Sequence, residues 1–118
     1  MKRNYEELIQ SANKAMMEKL LENEHKPGFD EVTFDQSVFR TEDELRELKE
    51  SFEGYKDALW NYKNHKSECN KSLMIMSLVK VRREAADTAN FPAMIILKCD
   101  KMIAELEASS EHCENQTV

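Results

Sequence analysis

Two carboxylate pairs at one-turn spacing are the residues of this sequence best suited to chemistry: Glu44 with Glu47, and Glu84 with Asp87. Side chains three apart on a helix are neighbours. At roughly 100° per residue, Glu84 points the same way as Val81, Thr88, Phe91, Ile95 and Met102, so it interrupts an apolar stripe. An uncompensated charge in such a stripe is costly. Glu44 lies at the edge of the arc that holds Leu48 and Tyr55, with Glu47 next to it, whereas Glu50 and Glu53 rotate outward. Two such helices packed face to face bring four carboxylates together, and these cannot all stay ionised without a cation. Oxygen donors with no histidine among them favour magnesium, or manganese, over zinc. A di-iron bundle site wants Glu-x-x-His pairs, and neither of these two helices carries one.

Plainer readings compete. Thr41-x-x-Glu44 is also a capping-box pattern, which would assign Glu44 to closing the start of its helix. Glu84 has Lys80, Arg82 and Arg83 close by in sequence as structural ion-pair partners. What favours the metal reading is that both pairs approach a buried face from separate, packable helices.

The elements that must position these groups are helices. Charged residues make up 34% of the 118 residues, with only two glycines and two prolines. Few breakers with much Glu, Lys, Leu, Met and Ala specify long helices. The spacing predicts a first helix over about Tyr5–Glu24, capped by Asn4, with an apolar face of Tyr5, Leu8, Ile9, Ala12, Ala15, Met16 and Leu20. His25–Arg40, with its Pro27-Gly28 turn signal, reads as a long loop. A second helix follows Thr41 to about Lys63, with Leu45, Leu48, Phe52, Tyr55, Leu59 and Tyr62 as its buried stripe. Asn64–Ser72 is the expected connection. A third helix runs from Leu73 to about Leu106, with a kink expected between Thr88 and Pro92. The fold class is therefore all-α, a bundle of three long helices over residues 1–108 followed by a polar tail, 109–118.

The net charge of −6 disfavours duplex nucleic acid as a partner, although bound cations can still draw in a small phosphorylated ligand. No apolar run reaches the roughly 18 residues of a membrane span, and MKRNYEELIQ lacks the apolar stretch of a signal peptide. Cys69, Cys99 and Cys113 are odd in number and show no C-x-x-C spacing, which suits reduced thiols and a cytoplasmic setting. The Leu73–Met76 stretch and the Met16-Met17 pair read as core or subunit interface. The apolar faces are generous for three helices, so a homodimer or higher homo-oligomer is expected.

The segments DELRELKESF and VRREAADTANFPAMI resemble the two signature helices of the MazG-like all-α nucleoside triphosphate pyrophosphohydrolases. The family pattern, E-E-x-x-E then E-x-x-D, reads here as Asp43-Glu44-x-x-Glu47 and Glu84-x-x-Asp87, extended by Leu45, Leu48, Asn90, Phe91 and Ile95. NEHKPGFDE is similar to an H-K-x-G-[WF] loop of some phage-type members. Together these three segments make up 34 of the 118 residues. Three features depart from the pattern: Asp43 in place of the first glutamate, a longer interval between Glu47 and Glu84, and Pro92 where the family continues as regular helix.

The resemblance implies hydrolysis of a nucleoside triphosphate to monophosphate and pyrophosphate, with magnesium held by Glu44, Glu47, Glu84 and Asp87. It implies further roles for Glu50 as a base, Lys80 and Arg83 on phosphates, Asn90 on the ligand or its sugar, and His25, Lys26 and Phe29 in a loop over the nucleotide. For Lys80 and Arg83 the ordinary surface cation stands beside this role. Two alternatives remain open: a relative acting on phosphoribosyl-ATP or on dUTP/dCTP, and a non-catalytic helical-bundle interaction protein.

Overall fold

The computed structural model describes residues 5–25 and 31–116, with side chains described as far as residue 109. Three helices account for nearly all of it: α1 (Tyr5–Glu22), α2 (Phe34–Asn64) and α3 (Glu68–Gln116). A 49-residue helix at 1.5 Å per residue is about 74 Å long, so α3 alone sets the longest dimension of 76 Å. It is the element against which the other two pack.

Cross-helix contacts fix the directions. On one side of α3, Thr88 meets the Glu44 carbonyl and Asn70 meets the Asn61 carbonyl, so α2 runs antiparallel to α3. On another side Asn90 reaches the Met16 carbonyl, while Arg83 pairs with Glu22 and Arg82 with Glu18. Thus α1 is also antiparallel to α3, and α1 and α2 are parallel to each other. Parallel helices cannot be joined by a tight turn, because the chain must return along their length. This accounts for the long Asn23–Thr33 connection. Tight turns suffice elsewhere, as at His65–Ser67 between α2 and α3.

The helix ends differ from the sequence expectation in instructive ways. α2 starts at Phe34, not after Thr41. Thr33 is its cap: the Gln36 amide donates to Thr33 Oγ1 at 3.1 Å, and the Thr33 amide donates to Gln36 Oε1 at 3.0 Å. This reciprocal pair satisfies two otherwise orphaned donors. Thr41 is mid-helix, with its hydroxyl donating to the Ser37 carbonyl, so Glu44 is no capping residue. α3 starts at Glu68, where Ser67 Oγ accepts from the Asn70 amide. It continues across Pro92 to Gln116, beyond the expected end at Leu106. Asn4, Lys26 to Phe29 and the Pro27-Gly28 turn lie outside the described residues.

The expected apolar stripes are only partly covered. On α2, Leu48, Tyr55, Leu59 and Tyr62 are half-buried against α3, but Leu45 and Phe52 are exposed. The tightest positions are instead Ser37 and Ser51, both buried. Each hydroxyl donates to a carbonyl one turn back, which removes the cost of burying it and lets the helices approach closely. On α1, Ala15, Met16 and Leu20 are half-buried, whereas Tyr5, Leu8 and Ile9 are exposed. Leu73, Ile75 and Met76 are exposed as well. Ala86 and Phe91, both on α3, are the buried apolar residues among those described. No helix among the described residues is long and apolar enough to cross a membrane.

The cap assignment has a measurable consequence. Thr33→Ala should lower stability by about 1 kcal/mol in thermal or urea unfolding. Thr41→Ala, which removes only a hydroxyl bonded back along the helix, should change it by a few tenths.

Candidate metal centre

The α2–α3 seam is stitched at its middle by Thr88. Its Oγ1 lies 2.7 Å from the Glu84 carbonyl on its own helix and 3.1 Å from the Glu44 carbonyl on α2, sharing its proton between them. This contact puts Glu44 level with Glu84 and Asp87. One ligand oxygen from each of Glu44, Glu47, Glu84 and Asp87 then falls within 4.8 Å of all the others. Glu44, Glu84 and Asp87 are half-buried and Glu47 is exposed. The cluster is thus sunk into the seam and open on one side.

No cation of the described residues neutralises it. Arg82 and Arg83, the local partners open to Glu84, turn to α1 instead: Arg82 donates to Glu18 at 2.8 Å and Arg83 to Glu22. Glu44 shows the consequence. Burial pushes its carboxyl up to about 8, with hydrogen bonding to Asp87, the Asp87 charge and the Glu47 charge adding to the rise. Glu44 Oε2 is buried with no donor directed at it. The two observations agree. A carboxylate has no proton to share with Asp87, so as an anion Glu44 is orphaned, and only its acid form makes that bond. A hard divalent cation would do for all four carboxylates what one proton does for Glu44 alone. The donor set, all oxygen and all carboxylate, fits such an ion.

The remaining candidates separate. Glu50 is exposed and outside the converging four. Arg83 is committed to α1. Lys80 is exposed, one turn before Glu84, with no ion pair among the described residues. Asn90 is buried at 4% exposure, with its Nδ2 donating to the Met16 carbonyl at 3.3 Å and its Oδ1 unpartnered. At least half of this amide holds α1 in place. His25 is exposed, in the turn that follows α1. Lys26 and Phe29 lie outside the described residues.

One cation near the site went unread in the sequence. Arg40 is on α2, one turn before Glu44, with its guanidinium 5.9 Å from the centre of the Phe91 ring. Reading residues 25–40 as a loop hid it. With α2 begun at Phe34, the i, i+4 relation of Arg40 to Glu44 repeats that of Lys80 to Glu84. Because the helices are antiparallel, the two cations flank the carboxylates from opposite ends of the seam.

No family model, characterised protein or solved structure matches the chain. The site therefore rests on its own geometry.

The raised Glu44 titration fixes a sign. The folded state holds a proton that the unfolded state gives up near 4.5, so in chelator stability should fall as pH rises from about 4.5 to 8. Saturating magnesium should remove that fall. Adding magnesium at pH 7 in weak buffer should release close to one proton per site, read by calorimetry in buffers of different ionisation enthalpy. Glu44→Gln should abolish the release.

Proposed function

We propose that this chain is a magnesium-dependent nucleoside triphosphate pyrophosphohydrolase, with manganese as a substitute ion. The observation that carries the reading is the convergence of Glu44, Glu47, Glu84 and Asp87 without a neutralising cation. It is supported by the resemblance of the two segments that supply them to the MazG-like signature helices. A triphosphate carries its charge on oxygens, and a carboxylate cluster repels it unless an ion stands between them. When bound, magnesium supplies that bridge and stabilises charge developing on the phosphoryl oxygens.

The protein's own part begins with holding. Glu44 and Glu47 project from α2 and Glu84 and Asp87 from α3, so the donor set depends on the seam staying closed. Thr88 keeps the two halves in register. Arg40 and Lys80, at the two ends of the cluster, receive the phosphate chain, Arg40 as a planar fork and Lys80 as a point charge. Arg83 takes no part beyond anchoring α1. In the reaction a water oxygen bonds to the α-phosphorus as the bond to the bridging oxygen breaks. Pyrophosphate leaves, and the proton of the water passes to a carboxylate or to solvent. Glu50 faces outward and serves this step poorly. Glu47, the exposed member of the four, is the better placed acceptor.

A second reading has an observation of its own. The wide exposed apolar surface of α2 and α3 suits a helical-bundle interaction protein without activity. Pyrophosphate release separates the two. A panel of canonical and modified nucleoside triphosphates should show release that requires magnesium, stops with chelator and falls about 100-fold or more in Glu84→Gln. No release from any nucleotide by folded protein would defeat the hydrolase reading.

Lys80→Met should raise KM for the triphosphate about tenfold, leaving magnesium affinity in calorimetry unchanged. An unaltered KM would remove Lys80 from the phosphate site.

A further inference from the structure

One side of the α2–α3 seam carries two rows at seven-residue spacing, which on a helix is two turns less about 20°. On α2 the row is Arg40, Glu47, Gly54 and Asn61; on α3, counted the other way, it is Asp87, Lys80 and Leu73. Because the helices are antiparallel, both rows run toward the α2–α3 turn along the same side. The carboxylate cluster opens on this side, since Glu47 is its exposed member.

Past Lys80 the same side is hollow. A groove of about 290 Å³ lies between Gly54, Asp57 and Asn61 of α2 and Asn70, Leu73 and Ser77 of α3. At 1.5 Å per residue, Gly54 is about 10 Å along the seam from Glu47. Pockets of roughly 300–1,000 Å³ hold whole drug-sized ligands, so this groove fits a base with part of its sugar.

The fold does not account for Gly54. Glycine inside a helix is destabilising relative to alanine. Its backbone has no positive φ, and a Cβ there would meet nothing within 4 Å. Neither conformation nor helix packing requires it; its effect is to keep the groove wall open. The polar groups divide in the same sense. Ser77 Oγ donates to the Met74 carbonyl and Asn70 Nδ2 to the His65 carbonyl, so both serve the fold. The side chains of Asp57 and Asn61, one turn apart on α2, have no partner among the described residues.

We infer that this groove binds the base of a guanine nucleotide, an inference that rests on the hydrolase reading for the rest of the substrate. Asp57 offers two acceptor oxygens and Asn61 an amide donor. Guanine presents the complement along one edge: N1–H and the 2-amino group as adjacent donors, then O6 as acceptor. Adenine, cytosine and uracil each put a single donor group beside acceptors there, so none satisfies both carboxylate oxygens. Leu73 gives the ring an apolar wall. With the base so placed, the α-phosphate falls at the carboxylates beyond Lys80, and the leaving pyrophosphate extends toward Arg40.

Pyrophosphate release by the full chain in magnesium should have its highest kcat/KM with guanosine triphosphate. Inosine triphosphate, which lacks only the 2-amino group, should be about tenfold poorer, and adenosine triphosphate about 100-fold. Asp57→Asn exchanges one acceptor for a donor. It should cut kcat/KM for guanosine triphosphate about tenfold and raise it for xanthosine triphosphate, whose 2-oxo group accepts that donor. Asp57 is exposed, and circular dichroism checks that the variant keeps its helices. Gly54→Leu should raise Tm while raising KM for guanosine triphosphate about tenfold. Equal kcat/KM for guanosine and inosine triphosphates, or an unchanged base preference in Asp57→Asn, overturns the guanine assignment and leaves the hydrolase standing. If no triphosphate is hydrolysed the hydrolase reading falls, and calorimetry in magnesium decides for the groove. Guanosine triphosphate binding about tenfold more tightly than inosine triphosphate upholds it; equal affinity overturns it.

Discussion

Everything in this molecule is arranged around a seam that has to pack while holding charge. α2 and α3 meet along a line where apolar side chains would be the simplest filling, and the middle of that line carries Glu44, Glu84 and Asp87, with Glu47 at its edge. Like charges this close in a partly dry setting repel strongly, so the helices can close only if something neutralises them. With no cation among the described residues paired to them, a proton on Glu44 is the minimum answer. A divalent ion is the fuller one. The small residues of the seam follow from the same constraint. Ser37, Ser51 and Thr88 bond to helix carbonyls and need no other partner, so they let the backbones come close and hold the carboxylates in register.

The centre was legible in the sequence because its signal is a contradiction: acidic residues on an apolar arc at helical spacing. That argument needs only the 3.6-residue period, and the structure brings together the four residues it singles out. The start of α2 was not legible by the same means. Pro27-Gly28 and the scattered Phe29, Val32 and Phe34 look like an irregular loop, and Thr41-x-x-Glu44 imitates the capping box that Thr33 and Gln36 form in fact. Two equivalent local patterns eight residues apart cannot be ranked by local chemistry. Burial decides between them, since the earlier start lets Ser37 pack against the seam. Missing that start also concealed Arg40.

The basic residues show a second limit. Lys80, Arg82 and Arg83 are near neighbours in sequence and each is a candidate partner for phosphate or for Glu84. The helical period separates them around α3. What each then meets depends on where α1 lies, and α1 is far away in sequence. Arg82 and Arg83 find Glu18 and Glu22 there; Lys80 is exposed, with no ion pair among the described residues. Tertiary placement committed the two arginines to α1.

How firmly α1 is held follows from magnitudes. Its two ion pairs with α3 are about half exposed, and surface pairs contribute about 0–1 kcal/mol each. The bond from Asn90 to the Met16 carbonyl, at 3.3 Å, is a long one for an amide donor. No residue of α1 is fully buried. The attachment therefore depends on Ala15, Met16 and Leu20, half-buried together along a stretch of α3 that includes the small, buried Ala86. Tyr5, Leu8 and Ile9 extend the same face toward the α1 start without comparable cover. α2, by contrast, is fixed along nearly its whole length, from Arg40 beside Phe91 to Asn61 beside Asn70. The carboxylates are all supplied by this better-held pair of helices. Their spacing is thus set by the most extensive packing the chain has, and α1 can vary in its hold on α3 without changing which four oxygens face one another.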